Sequence, residues 1–405
     1  MNVAPQNAQS STNAARVIRN SEEALTTARE LADALAIGAS ERDSQRRLPH
    51  DEVRTFVQSG LWGIGIRPEF GGAGVSIETI IEVVATISAA DPSIGQLPQN
   101  NYLLLENLYR IGTEEQKRFF FGEVLRGKVI GNGFAEAGGK DVLDVRSRIR
   151  RTASGLRLDA RKVYCTNALF ADWIPISGVD DDGNIVYVYV ERDAAGLSVV
   201  DDWNGLGQRT SASGSIIADD VEVNPAYVIE RHKSFSKPSL SGPLAQLLHA
   251  AIDLGIARAS FAEAVRLARA ASRPWIDSGL ERAQDDPHTI ALLGDLQIRV
   301  NSANAMVERA ARILDAARDR HDEADVARAS VAVAEGKVLA NDAALFASSK
   351  LFEFGGASSA RTSLNLDRHW RNARTHTLHD PVRWKYHLIG NYVLNDKNPP
   401  LHNWA

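Results

Sequence analysis

The residues best suited to chemistry lie near the C-terminus, in the run Asp367-Arg368-His369-Trp370-Arg371-Asn372-Ala373-Arg374-Thr375-His376-Thr377-Leu378-His379-Asp380-Pro381. Three arginines and three histidines share this segment. Asn372, His376 and His379 recur at i, i+4 and i+7, so on a helix they occupy one face. Pro381 disfavours the α conformation at Asp380, and the helix is expected to stop about there. A histidine at a helix C-terminus gains from the macrodipole in its charged form, which predicts a protonated ring near neutral pH. The chemistry this serves is proton donation from rigid structure. The competing reading is a polar helix end lying on the surface.

A chain of 405 residues can supply two or three domains to position these groups. The apolar share is 44% and the charged share 24%, an ordinary globular balance. A net charge of −5 with both signs interspersed points away from nucleic acid and from anionic membrane surfaces. Cys165 is the only cysteine, which rules out an intrachain disulfide and a cysteine metal site and fits the cytoplasm. No metal site is expected. Residues 1–20 have no apolar core, so they read as a disordered tail rather than a signal peptide. No apolar run approaches the ~20 residues a membrane helix needs.

Residues 21–127 read as an all-α domain. Ser21 is its expected N-cap, ahead of Glu22 and Glu23, and Leu25, Ala28, Leu31, Leu35 and Ile37 recur at helical spacing. Phe70-Gly71-Gly72-Ala73-Gly74 is a loop. Further helices are expected over 76–90 and 103–125. Over 128–232 the texture is that of strands: Leu156-Arg157-Leu158 alternates, and Ile185 to Val190 follows an Asp/Gly/Asn turn. Ser215-Ile216-Ile217 and Val221-Glu222-Val223 continue it. Over 233–405 helices return. Leu244, Leu247, Leu248, Ala251, Ile252, Gly255, Ile256 and Ala259 trace an amphipathic stripe, and two long Ala-rich helices over 288–320 and 323–352 suit a four-helix bundle.

Arg368-x-Trp370-Arg371-Asn372-x-Arg374 followed by Leu378-His379-Asp380-Pro381 resembles the end of the acyl-CoA dehydrogenase fold. The family pattern there is Arg-x-Tyr-Arg-Asp-x-Arg, followed by Tyr-Glu-Gly with the catalytic glutamate; His379-Asp380-Pro381 stands in its place. The variant is similar to the flavin-dependent monooxygenase branch, of the dibenzothiophene monooxygenase type and its sulfur-acquisition relatives. The resemblance spans about Ser21 to Asn395. It implies an α+β architecture: an N-terminal helical domain, a central β-barrel or sandwich, and a C-terminal four-helix bundle.

The resemblance also assigns roles. Gly131-Asn132-Gly133-Phe134 matches the strand and loop that meet the flavin's pyrimidine edge. Asn132 can both donate and accept there, and the glycines let backbone approach a flat ring. A plain glycine-rich strand turn is the alternative. Tyr164-Cys165-Thr166-Asn167 matches a strand on which Tyr164 flanks the isoalloxazine and the Thr166 hydroxyl faces N5, where it could steady a C4a-hydroperoxide. A threonine on a strand is otherwise a β-propensity choice. The loop Asp201 to Gly214 makes Trp203 a pocket wall, unless it is simply a core indole, and places Ser213 beside the same pocket as Phe134. Arg273 and Gly355-Gly356 match phosphate-binding elements shared between subunits, and Arg374 joins the cofactor set. Ala357-Ser358-Ser359 departs from the family's continuation, which favours FMN over FAD. Gln96 and Asn100 stand where the dibenzothiophene type has a histidine and a tyrosine, so the pocket is amide-lined and suits a smaller polar substrate.

The expected activity is a two-component monooxygenation. A separate NAD(P)H-dependent flavin reductase supplies reduced FMN, and a small organosulfur compound is oxidised with O2. His379 manages the proton and His376 supports it. The expected assembly is a homotetramer. The alternatives are an FAD acyl-CoA dehydrogenase with Asp380 near the base position, and a flavin-fold protein with no catalysis.

Overall fold

The computed structural model describes residues 14–404 apart from 142–143, 236 and 271–272. Positions 1–13 of the expected tail lie outside the described residues. The rest of it is tied down: Ile18 is buried and Arg16 donates its amide to the Gln58 carbonyl.

Six helices come first: α1 (Ser21–Ala36), α2 (Ala39–Gln45), α3 (His50–Gln58), α4 (Ile77–Ala90), α5 (Pro92–Ile111) and α6 (Glu114–Leu125). The cap of α1 is Asn20, whose side chain accepts from the Glu23 amide, and Ser21 is already helical. The helix ends before Ile37, which is exposed. The helix expected from Leu103 starts at Pro92 instead. Asp91 caps it by accepting from the Ser93 and Ile94 amides, and Pro92 occupies the first position, where a missing N–H costs nothing. That start carries Gln96 and Asn100, one turn apart, on a rigid element.

The strands are β1 (Ala135–Glu136), β2 (Arg148–Thr152), β3 (Gly155–Val163), β4 (Trp173–Val179), β5 (Ile185–Glu191), β6 (Leu197–Val200), β7 (Ser215–Val223) and β8 (Val228–Ile229). They form one eight-stranded sheet, in the order β6-β7-β3-β2-β4-β5-β8 with β1 on β3. All pairings between strands are antiparallel except β2 with β4. Ile149, Leu158, Ile176, Val188, Ile216 and Val221, from five strands, share one interior cluster without any helix residue. The sheet therefore curls around its own core.

The C-terminal helices are α7 (Ser241–Ala270), α8 (Pro287–Ala317), α9 (Glu323–Gly355), α10 (Asp367–His376) and α11 (Arg383–Asn395). The stripe expected on α7 is wider than an amphipathic face, because every residue from Ser241 to Ala257 is buried. This helix runs between α4 and α5 on one side and α8 and α9 on the other. Polar side chains in that stretch must therefore find partners inside the protein.

Candidate active site

The site is assembled from a turn, a loop and two helices. Strand β3 stops at Val163, and Tyr164 (φ +54°) and Asn167 (φ +69°) bracket a tight turn. Thr166 is thus in a turn rather than on a strand, and β-propensity does not account for it. Asn167 holds the turn in place, donating its side-chain amide to the Ile130 carbonyl at 3.0 Å and its backbone amide to Ser211 at 3.1 Å. From Thr166 a hydrogen-bonded line leads outward: Thr166 Oγ1 to Ser213 Oγ (2.9 Å), Ser213 Oγ to Ser211 Oγ (2.7 Å), Ser211 Oγ to the Gln208 carbonyl (2.9 Å).

The same loop is clamped to α10. Gln208 donates its amide to Asn372 Oδ1 at 2.6 Å, and Gly207 donates to Thr375 Oγ1 at 2.8 Å. A Cβ at residue 207 would lie 2.0 Å from the Arg371 carbonyl oxygen, so only glycine permits this approach. Arg371 fixes α10 in turn through Asp43 of α2. Trp203 Nε1 donates to the Gln208 carbonyl, and its ring stands edge-on to Tyr164 at 6.0 Å. Tyr164 is 64% exposed, a flat aromatic face open beside the Thr166 hydroxyl.

The helix expected to run to Asp380 ends at His376, so His379 lies in the following turn and not on the face of Asn372. It nevertheless meets the other histidine, through α7. His376 Nδ1 lies 2.6 Å from Asp253 Oδ1, and His376 Nε2 lies 3.2 Å from His249 Nδ1. The His249 and His379 rings lie face to face at a tilt, with centroids 3.9 Å apart and planes at 32°. His379 Nδ1 bonds Asp380 Oδ1 at 3.0 Å. Asp380 also accepts from Lys337, and Lys385 Nζ stands 3.7 Å away. Lys337 bonds Gln246 Oε1 at 2.6 Å. Gln246, His249 and Asp253 follow i, i+3 and i+7 on α7, where Gln246 meets Lys337, His249 meets His376 and His379, and Asp253 meets His376. Sequence reasoning missed all three, and three polar residues at helical spacing inside an apolar helix were the available signal.

The charge states differ from the expectation. Burial pushes the His379 imidazole below its ordinary value, with Lys337 and His376 adding to the push and Asp380 opposing it. The helix terminus does not decide the matter, because the ring has left the helix. Its side chain is 40% exposed, so the ring is reachable. Burial pushes His249 far lower still. Burial alone would raise the Asp380 carboxyl, yet His379, Lys337 and Lys385 together hold it far below the usual carboxylate range. An acid so stabilised as its anion is a poor proton acceptor.

On the sheet side, Phe134 stacks on Tyr187 at 4.6 Å, and Tyr187 Oη accepts from Arg231 Nε. Gly131 and Gly133 are explained by packing. A Cβ at either would press on Ala171 or Ile176 at about the closest distance side chains tolerate. Asn132 Oδ1 and Gln96 Oε1 are buried without a hydrogen-bond partner in the protein. Such orphaned amides fit a polar ligand that would satisfy them.

The remaining sequence candidates lie elsewhere. Arg273 follows the end of α7 and is exposed, and Gly355-Gly356 end α9, where Gly355 packs near Leu267 of α7. Since α7 rises ~1.5 Å per residue, its end at Ala270 is about 30 Å along the bundle from His249, and Arg273 follows that end. The structure places these two elements together, at the far end from the histidines. Ser359, just past the glycines, folds back to donate to the Phe352 carbonyl at 2.8 Å. Arg374 is half-buried and makes no ion pair among the described residues.

Two family models match: the acyl-CoA dehydrogenase N-terminal domain over residues 19–128 and its C-terminal domain over 247–384. The chain is 32% identical to the dibenzothiophene monooxygenase of Rhodococcus erythropolis, over 93% of this chain and 94% of that one. It is 33% identical to the probable FMNH2-dependent monooxygenase SfnC of Pseudomonas putida, over 93% and 96%. The chain belongs to the acyl-CoA dehydrogenase family, in its flavin-dependent monooxygenase branch. FMN-bound TdsC of Paenibacillus sp. A11-2 superposes with a TM-score of 0.89 at 30% identity, covering 94% of this chain and 100% of that one. The methanesulfinate monooxygenase MsuC of Pseudomonas fluorescens gives 0.88 at 30% identity, covering 94% and 99%. Among the described residues no helix is long and apolar enough to cross a membrane.

Proposed function

We propose that this oxidoreductase is a reduced-FMN-dependent monooxygenase that transfers one oxygen atom from O2 to a small organosulfur compound. The observation that carries the reading is the state of Asp380. It stands where a dehydrogenase keeps a free carboxylate base, but here it is locked between His379, Lys337 and Lys385. A residue so engaged does not abstract a substrate proton; it orients an imidazole.

Reduced FMN, when bound, supplies the two electrons that reduce the second oxygen atom to water. The chain's own residues do the rest. Tyr164 and Trp203 wall the ring, Asn132 meets its pyrimidine edge, and Thr166, buffered by Ser213, offers a hydroxyl at N5. His379 holds the proton at the oxygen that is not transferred, and His376 keeps its neighbour in register. Gln96 and Asn100 present uncharged amides to a polar substrate, beside Phe134. Arg273, Gly355 and Gly356 of the partner subunit receive the phosphate, since within one chain they are about 30 Å from the histidines. That requirement supports a homotetramer, as do the exposed Ile290 and Ile298 of α8 and Trp384, Val393 and Leu394 of α11. The folded-back Ser359 favours FMN over FAD. A separate NAD(P)H-dependent reductase supplies the flavin, and the cytoplasm suits its reduced state.

The test is reconstitution with FMN, a flavin reductase and NADH in air. Dimethyl sulfone, methanesulfinate and dibenzothiophene are offered in turn, with butyryl-CoA under anaerobic conditions as the dehydrogenase control. Oxygenated product from a small sulfur substrate supports the reading. Bleaching of oxidised flavin by butyryl-CoA, with no oxygenated product, overturns it.

A further inference from the structure

His249 has two contacts of different kinds. Through Nδ1 it meets His376 Nε2 at 3.2 Å, and His376 is itself pinned by Asp253 at 2.6 Å. Across its flat face it carries the His379 ring at 3.9 Å. The Asp253 carboxylate accepts from His376 Nδ1–H, which leaves His376 Nε2 to share one hydrogen bond with His249 Nδ1. The orientation of one buried ring is thus transmitted to the next, and His249 cannot turn without breaking its bond to His376. His379 has no comparable anchor. It lies past the end of α10, its ring bonds through Nδ1 to Asp380, and it is the most exposed of the three rings.

We propose that His249 is a positioning residue for His379: anchored by the Asp253–His376 pair, its imidazole is the platform that fixes the plane and the protonated nitrogen of the His379 ring. The inference rests on the monooxygenase reading only for what His379 then does. The groups facing His379 are Asp380 beside it, Lys337 from α9, and His249 and His376 from α7 and α10; Lys385 of α11 faces Asp380. With Asp380 holding Nδ1–H, the platform directs the other nitrogen, Nε2, toward the accessible side. A neutral platform also suits the task, because two stacked imidazolium rings would repel.

The experiment uses full-length, flavin-free protein with 15N-labelled histidine. The ring signals of His379 are identified among the ten histidines by their loss in His379→Gln. In the wild type, His379 is expected as a single Nδ1–H tautomer that titrates below the free value. In His249→Ala and in His249→Asn, water replaces the platform. The titration midpoint should then rise toward the free value and the tautomer signals should average. The asparagine variant can still donate to His376, so it separates the stack from the hydrogen bond, and it serves if the alanine variant does not fold. His249→Phe keeps a flat ring without the bond to His376, so its His379 signals should fall between those of the wild type and the alanine variant. With FMN and substrate, product formed per flavin oxidised should fall about tenfold or more in the alanine and asparagine variants, with flavin affinity unchanged within about twofold and part of the yield regained with phenylalanine. Unchanged His379 signals in the alanine and asparagine variants, or a phenylalanine variant as disturbed as alanine, would overturn the proposal. If the wild type oxygenates nothing, the monooxygenase reading fails while the titrations still decide the role of His249.

Discussion

Replacing Asp380 by asparagine separates an anchoring carboxylate from a catalytic base. Asp380 is 5% exposed at its side chain and compensates Lys337, at 4%, and Lys385, at 2%. Removing one partner of a buried ion pair costs ~3–5 kcal/mol, because the other charge stays buried without compensation. The lysine's escape sets a similar ceiling. Neutralising an ordinary lysine at pH 7 costs about 1.4 kcal/mol per unit over roughly 3.4 units, or ~5 kcal/mol. Lys385 is already part-way there, brought down to about 8 by burial and by the charge of Lys337. Unfolding entropy near 2.1 cal/mol/K per residue gives ~0.85 kcal/mol/K for a chain of this length, so Asp380→Asn should lower Tm by about 4–6 °C. Adding Lys337→Met removes one orphaned cation and should recover part of that loss. Differential scanning calorimetry of the wild type, both single variants and the double variant gives all the terms. A Tm for Asp380→Asn within about 1 °C of wild type, or a double variant less stable than Asp380→Asn, would refute the anchoring role.

His379→Ala should leave flavin affinity within a few-fold but cut oxygenated product by ~10²–10⁴, with hydrogen peroxide released instead; full coupling in a peroxide and product assay would remove His379 from the mechanism. Acid should destabilise the fold. His249, His369 and His379 are lowered by burial, so below about pH 6.5 the unfolded chain binds protons that the folded chain refuses, and stability falls as pH falls, for His369 down to about 3. Asp380, depressed by its partners, acts in the same direction at lower pH. Urea midpoints that stay flat from pH 7.5 to 5 would contradict this. Arg273→Ala should weaken FMN binding by roughly 1.5–3 kcal/mol while light scattering still reports a tetramer; unchanged affinity, or a monomer that binds FMN fully, would take the shared phosphate site away.

The fold was legible because its signals are local. Alternation marked β3, a β-branched and aromatic run after a turn marked β5, Ala-rich sequence marked α8 and α9, and the 367–381 motif tied them to a family. Errors came where tertiary context decides. The sequence of α7 looks like an amphipathic stripe, but neighbours on every side turn it into a central helix, and so its polar residues became the inner part of the site. A start for α5 at Leu103 misses the Asp91 cap, which begins the helix at Pro92. The charge on His379 was read from helix polarity, while burial and the end of α10 at His376 set it. Thr166 and Asn372 could be named separately, but the serine line joining them runs through Ser211 and Gln208, which no spacing rule connects. The distance from Arg273 to the histidines is equally invisible until the helices are laid side by side.

The central claim is oxygen transfer, and isotope labelling tests it most directly. The protein is supplied anaerobically with FMNH2 and a small sulfone or sulfinate, exposed to 18O2, and the product is weighed by mass spectrometry alongside the peroxide released. The expected result is one 18O atom per product molecule, with little peroxide in the wild type and nearly all of the oxygen recovered as peroxide in His379→Ala. Unlabelled product, or wild-type protein that returns all of the oxygen as peroxide with every sulfur substrate offered, would contradict the account.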